Sequence, residues 1–184
     1  MATARKRPSK PTSASKRQTA LDLLKADHHE VDQAFKQFEK IKEDGGKSEI
    51  SDLVETICNE LTVHAQIEEE IFYPAMREAF EHADLIDEAA VEHASIKQLV
   101  EELQGMGPGE GLYAAKVKVL GEYVRHHVKE EEGEIFPKAR KSKLDLVVLG
   151  EQLQSRKQEL QSEEQMLMPA PRQARSAPTR RHAH

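Results

Sequence analysis

LTVHAQIEEEIFYP at residues 61–74 and YVRHHVKEEEGEIFP at residues 123–137 are two versions of one phrase. In the first, His64 is followed four residues later by Glu68 and ten residues later by Pro74. In the second, His127 is followed at the same intervals by Glu131 and Pro137. Upstream of each lies one more histidine behind an acid: Asp27-His28, 36 residues before His64, and Glu92-His93, 34 residues before His127. A spacing of four sets His and Glu one above the other on a helix face. From there both reach one metal ion, and the carboxylate can extend to a second. A doubled unit of this kind is what a two-metal site inside a helical bundle requires.

The surrounding residues supply the helices. Leu21, Leu24, His28, Val31, Phe35 and Phe38 recur in steps of three and four, one face of a helix over about Thr19 to Asp44. Thr19 reads as its N-cap with Asp22 at N3, and Gly45-Gly46 as its end. A second stripe, Ile50, Val54, Ile57, Leu61, His64, Glu68 and Ile71, predicts a helix from about Ser48 to Phe72, before Pro74. A third, from about Ala83 to Gln104, carries Ile86, Ala90, His93, Ile96, Val100 and Leu103. Four glycines and Pro108 make 105–111 a loop. The fourth, about Leu112 to Glu132, carries Val117, Leu120, Val124, His127 and Glu131, and Gly133 and Pro137 are expected to disturb or end it. A fifth segment, about Ser142 to Met168, is expected to pack across the bundle or against another copy. Short connections favour antiparallel neighbours. The expected fold is all-α: an antiparallel up-down four-helix bundle over 19–140, an additional C-terminal helix over 141–168, and disordered tails.

Composition narrows the function classes. The chain has 184 residues, 33% of them charged and 4% aromatic, with a net charge of −6. That charge is divided. Residues 1–18 carry six bases and residues 169–184 carry four, with no acid in either, which leaves 17 bases against 33 acids between them. Both tails are rich in Pro, Ser, Thr and Ala and cannot bury enough surface to offset ordering entropy. They offer at most a weak handle for nucleic acid, and solubilising tails are the preferred reading. The single Cys58 forms no internal disulfide, and no run approaches ~18 apolar residues, so a cytoplasmic protein away from membranes is expected.

Burying imidazole or carboxylate in an apolar seam costs free energy unless a partner is found. Here His28, His64, His93 and His127, with Glu68 and Glu131, all fall on the stripes, and a dication satisfies them together. His29, His82, Glu69, Glu130 and Glu132 fall off the stripes and are expected to face solvent. His126 stands as an alternative to His127. Cys58 is read as core packing, and Tyr73 and Tyr123 as candidate proton donors near the centre for which aromatic core packing is the preferred role. Imidazole with carboxylate and without thiolate suits iron or manganese better than zinc. The His-Glu-x-x-His zinc motif, the Glu-x-x-His motif of ferritin-like bundles, a Ser-His-Asp arrangement and a phosphate loop are all absent.

The phrases LLKADHHEVDQAF, LTVHAQIEEEIFYP, VEHASIKQLV and YVRHHVKEEEGEIFP resemble the hemerythrin-like family of histidine–histidine–glutamate cation-binding domains, over about residues 19–140. The resemblance implies a non-haem di-iron centre: His28 and His64 on one iron, His93 and His127 on the other, and Glu68 and Glu131 bridging them beside an oxo, hydroxo or water ligand. It departs from the oxygen carriers, which have a second histidine one turn from the first in the third helix. Ala89 and Lys97 occupy those places here. Fewer histidines imply a more open centre, suited to oxygen, peroxide or nitric oxide. The resemblance leaves two functions in play. One is a di-iron protein reacting with a small oxidant, catalase-like turnover included, in stress response or sensing. The other is an iron-gated interaction module, monomeric or homodimeric.

Overall fold

The computed structural model describes residues 17–80 and 83–167. The tail expectations for 1–16 and 168–184, and the expectation for His82, lie outside the described residues. Among the described residues the chain is helical without strands. It is an antiparallel bundle of four rods with a fifth helix laid against it.

The first rod is α1, Ala20–Ile41. Thr19 caps it as its sequence predicts. The Thr19 hydroxyl accepts from the Asp22 N–H, and the Asp22 carboxylate accepts from the Thr19 N–H, a reciprocal capping box. The second rod is α2, Lys47–Ile67, a π-helical turn over Glu68–Phe72, and α3, Tyr73–Ala79. The third is α4, Asp84–Gln104. The fourth repeats the design of the second: α5, Tyr113–Glu130, a π turn over Glu131–Ile135, and α6, Phe136–Lys141. The loop between α4 and α5 turns at Gly109, whose φ of 101° needs a residue without a Cβ. Helix α7, Leu146–Leu167, starts where Asp145 accepts from the N–H groups of Val147 and Val148.

The π turns correct the helix ends expected from Pro74 and Pro137. Each rod runs past its proline. In each, one residue is inserted before the proline, and the N–H of Tyr73 or Phe136 bonds to the carbonyl of Glu68 or Glu131, five residues back. The proline then sits in the first turn of the next segment, where its ring and fixed φ are tolerated. The insertion also shifts the phase. Ile71, in register by simple periodicity, is only half-buried, while Phe72 and Tyr73 turn fully inward. In α4 the buried residue is Ala89, and Ala90 is exposed.

Helix α1 packs on α2 and α5, and α4 packs on α5 and α2, closing the bundle. Helix α7 lies across α1, α2 and the first π turn, the first of the two packings expected of it. Gly150 makes this approach close: a Cβ there would stand 2.7 Å from the Ala20 nitrogen. Two apolar clusters fill the interior. One holds Leu24, Ile67, Phe72, Met76, Ile86 and Phe136 with Leu149 and Leu153 of α7. The other holds Val31, Phe35, Phe38, Ile57, Leu120 and Val124, together with Cys58. Burial pushes the Cys58 thiol up to about 11, with Glu55 adding to it, so it is an inert core residue.

Candidate metal centre

Among the described residues the buried polar ones are His28, His64, His93, His127, Glu68, Glu131 and Asp27. Six of the seven are the residues singled out by sequence. They form two adjoining groups whose potential ligand atoms lie within 4.8 Å of one another: His28, His64, Glu68 and Glu131 in the first, Glu68, His93 and His127 in the second. His28 Nε2 and His64 Nε2 are 3.1 Å apart, as are His93 Nε2 and His127 Nε2. Glu68 Oε2 lies between the pairs, 3.3 Å from His64 Nε2 and 3.4 Å from His93 Nε2. Glu131 Oε2 lies 3.2 Å from His28 Nε2. Glu131 thus belongs to the first group and Glu68 to both. His126 is exposed and pairs with Glu92 and Glu130, each at 3.3 Å, so His127 is the inward histidine.

Every Nε2 points inward because every Nδ1 is held from outside by a carboxylate. His28 Nδ1 bonds Glu132 at 3.0 Å, His93 Nδ1 bonds Glu69 at 3.0 Å, and His127 Nδ1 bonds Glu92 at 2.8 Å. His64 Nδ1 faces Asp27 at 3.5 Å. The carboxylates are anchored in turn. Lys25 bonds Glu132, Lys97 bonds Glu69 at 2.5 Å and Lys157 of α7 bonds Asp27 at 2.6 Å. The repeat extends to this layer: Asp27 and Glu92 precede a ligand-type histidine, and Glu69 and Glu132 follow a ligand-type glutamate. Glu69 and Glu132 therefore depart from the solvent-facing role expected of them. They reach sideways from the π turns to helices α4 and α1. The repeated Asp/Glu-His and Glu-Glu pairs were the sequence signal for this layer, and helical phase alone discards it. A carboxylate on the outer imidazole nitrogen fixes the tautomer that leaves Nε2 free to bind a metal.

The protonation states follow from burial and neighbours. Burial lowers His64 to about 4 despite Asp27, and it lowers His93 and His127 as well. Burial works against charge on His28 too, but the Glu131 carboxylate overrides it and raises His28 to about 9. The same pairing overcomes burial at Glu131 and takes it to about 2. Glu68 is raised well above the ordinary carboxylate range, by burial and then by Glu131. Asp27 is lowered despite burial because His64 and Lys157 favour its charge. Tyr73, read from sequence as packing, also reaches the centre. Its hydroxyl lies 3.3 Å from His93 Nε2 and 3.5 Å from both Glu68 Oε2 and His127 Nε2.

Glu68 Oε1 and Glu131 Oε1 are buried without a hydrogen-bond partner, and Glu131 Oε2 has only its ion-pair contact with His28, at 3.2 Å and without hydrogen-bond geometry. Buried carboxylate oxygens without partners are costly. A cation between the inward imidazoles satisfies these oxygens and keeps them ionised. The donor set therefore fits metal ions. Residues 19–139 match the profile described as the hemerythrin HHE cation binding domain.

The chain belongs to the hemerythrin HHE cation-binding family.

A solved relative, a hemerythrin HHE cation-binding domain-containing protein from Mycobacterium kansasii, superposes with a TM-score of 0.66 at 26% identity, covering 80% of this chain and 90% of that one. A curated relative, a protein named DNA nickase from Nostoc sp. (strain PCC 7120), is 28% identical over 115 residues, 62% of this chain and 32% of its own length. The HHE chain thus spans about a third of that relative. No helix among the described residues is long and apolar enough to cross a membrane.

Proposed function

We propose that this HHE domain is a non-haem di-iron protein that binds or reacts with a small oxidant: oxygen, hydrogen peroxide or nitric oxide. The observation that carries the reading is the pair of donor groups sharing Glu68, with orphaned carboxylate oxygens at the first. His28, His64, Glu68 and Glu131 would hold one ion, and His93, His127 and Glu68 the other. Ferrous ions held there would supply the electrons for reaction with a small oxidant. Imidazole and carboxylate donors without thiolate favour iron or manganese.

The chain's own residues set the size and the electrostatics of the reaction space. A cavity of about 20 Å³ lies against all four imidazoles, walled by Val31, Leu61, Ile96 and Val124. That is room for about one water molecule, or a ligand of similar size. The valine, leucine and isoleucine side chains make the wall beside the imidazoles apolar, while the four outer carboxylates hold the imidazoles in one orientation. Stress response and a cytoplasmic setting are consistent with this chemistry.

The test is metal analysis with absorption spectra of protein produced with ample iron. About two irons per chain and oxo-bridged near-ultraviolet bands that respond to peroxide are expected, with both lost in His64→Ala. A colourless protein holding only zinc after iron supplementation overturns the reading.

A second reading, an iron-gated interaction module, draws on one contact. Lys157 places α7 in direct touch with Asp27, the carboxylate facing His64. Under this reading α7 or the tails meet a partner when the centre fills. The nickase relative makes nucleic acid the first partner to examine, by comparing DNA binding of iron-loaded and iron-free protein.

A further inference from the structure

The two donor groups are not equivalent, although the sequence repeat pairs them. The 63-residue offset that carries His64 onto His127 and Glu68 onto Glu131 also carries Tyr73 onto Phe136. Both aromatic residues follow a π turn and both point into the centre. Phe136 stacks on the His28 ring, 5.9 Å between centroids and 7° between planes, and brings no donor atom. Tyr73 sits beside the other pair and brings a hydroxyl.

The position of that hydroxyl is informative. Metal–ligand bonds of about 2.1 Å place neighbouring donors roughly 3.0–3.4 Å apart, depending on geometry. In the first group, His28 Nε2, His64 Nε2, Glu68 Oε2 and Glu131 Oε2 are linked by separations of 3.1, 3.2 and 3.3 Å. In the second, His93 Nε2, His127 Nε2 and Glu68 Oε2 supply three donors with separations of 3.1 and 3.4 Å. Tyr73 Oη stands 3.3, 3.5 and 3.5 Å from those same three atoms. It therefore occupies the corner that Glu131 occupies in the first group. Tyr73 is 3% exposed, and its hydroxyl faces nitrogens whose outer partners already fix them as inward acceptors.

We propose that Tyr73 is the fourth protein donor of the His93–His127 metal position, so that one ion is held by two imidazoles and two carboxylates and the other by two imidazoles, one carboxylate and a phenolate. This rests on the di-iron reading above and deepens it. As the bond to ferric iron forms, the phenol proton leaves to water and no electron moves. Tyrosine oxygen is a proven iron ligand in another protein setting, the axial position of haem catalases. The consequence is an asymmetric centre. The phenolate, a stronger electron donor than the Glu131 carboxylate that fills the corresponding corner of the first group, favours the ferric state at the second position and leaves the first as the one more readily reduced.

The experiment uses the full chain loaded with iron and oxidised in air. Iron content is measured separately from visible absorption and from resonance Raman spectra excited in the visible. A phenolate-to-iron charge-transfer band with tyrosine ring modes is expected, shifted when the protein carries ring-deuterated tyrosine. Tyr73→Phe removes one oxygen atom and is expected to keep about two irons per chain and lose the band and ring modes entirely. Tyr123→Phe, 48% exposed and away from the centre, is expected to keep both. The wild-type spectrum is decisive even if Tyr73→Phe folds poorly. Two irons per chain without phenolate modes overturn this proposal and leave the di-iron reading standing. Failure to hold iron overturns both.

Discussion

Glu69 and Glu132 show how a residue can be misjudged by its helical phase. Neither lies on an apolar stripe, yet each accepts from the Nδ1 of a histidine on the neighbouring helix. Outer carboxylates of this kind are worth roughly 10–100-fold in metal affinity. Glu132→Gln is expected to weaken iron binding by about that factor while leaving the fold intact, as read from a competition titration with a coloured chelator. Glu130→Gln, on the outer side with His126, is expected to change affinity far less. His64 provides a second test at this scale. It is faced by Asp27, His28, Glu68 and Glu131, and burial holds it at about 4 against an ordinary 6.5. In metal-free protein the unfolded chain takes up the proton first. The stability tied to His64 is therefore complete above pH 6.5 and lost as pH falls toward 4, worth about 3 kcal/mol in full. His28 has the opposite sign: its stabilisation is complete below 6.5 and lost as pH rises through about 9. Metal-free melting temperature is expected to fall on both sides of a maximum between those limits, and a flat profile from pH 4 to 9 would contradict the assignment.

Elements are positioned by a few backbone features. The π turns carry the prolines through without a break and rotate Tyr73 and Phe136 onto the inner face. Alpha-helical periodicity puts a residue five positions after Glu68 well off its face, about 140° away. The wider turn brings it back, which is why periodicity left Tyr73 as packing or a candidate proton donor and did not set its hydroxyl beside the ligand atoms. Helix α7 depends on Gly150, whose hydrogen lies against the start of α1. Replacement by alanine gains up to about 1 kcal/mol of helix propensity. The clash with backbone at 2.7 Å forces α7 away and outweighs that gain, at a cost of about 1–3 kcal/mol. Gly150→Ala is expected to lower the melting temperature and, by separating Lys157 from Asp27, to weaken iron binding. A variant more stable than the wild type would contradict the packing described.

For the whole molecule, the polar layer divides the core in two, with one apolar cluster on either side. Such a layer is costly when empty, because Glu68 Oε1 and the carboxylate oxygens of Glu131 are buried without hydrogen-bond donors. Metal bound at about a thousand times its dissociation constant stabilises a native state by roughly 4 kcal/mol. For a domain of this size that corresponds to a melting shift on the order of 10 °C. Chelation is expected to lower the melting temperature by that amount and re-addition of iron to restore it. An unchanged transition would show that the ions are held no more tightly by the folded chain than by the unfolded one.

The sequence by itself determined the helical rods, their antiparallel order and the six inward side chains, because each depends on periodicity along one chain and each was written twice. Pairing in space decided the rest. Only the folded bundle put Glu68 between both histidine pairs and Glu131 beside one. Only there do Glu69, Glu92, Glu132 and Asp27 meet imidazoles on other helices, and α7 touch the centre through Lys157. These contacts join residues from 24 to 130 positions apart. Their partners are chosen by how helices pack and where a π turn shifts the phase, and neither is encoded in the spacing of any one segment.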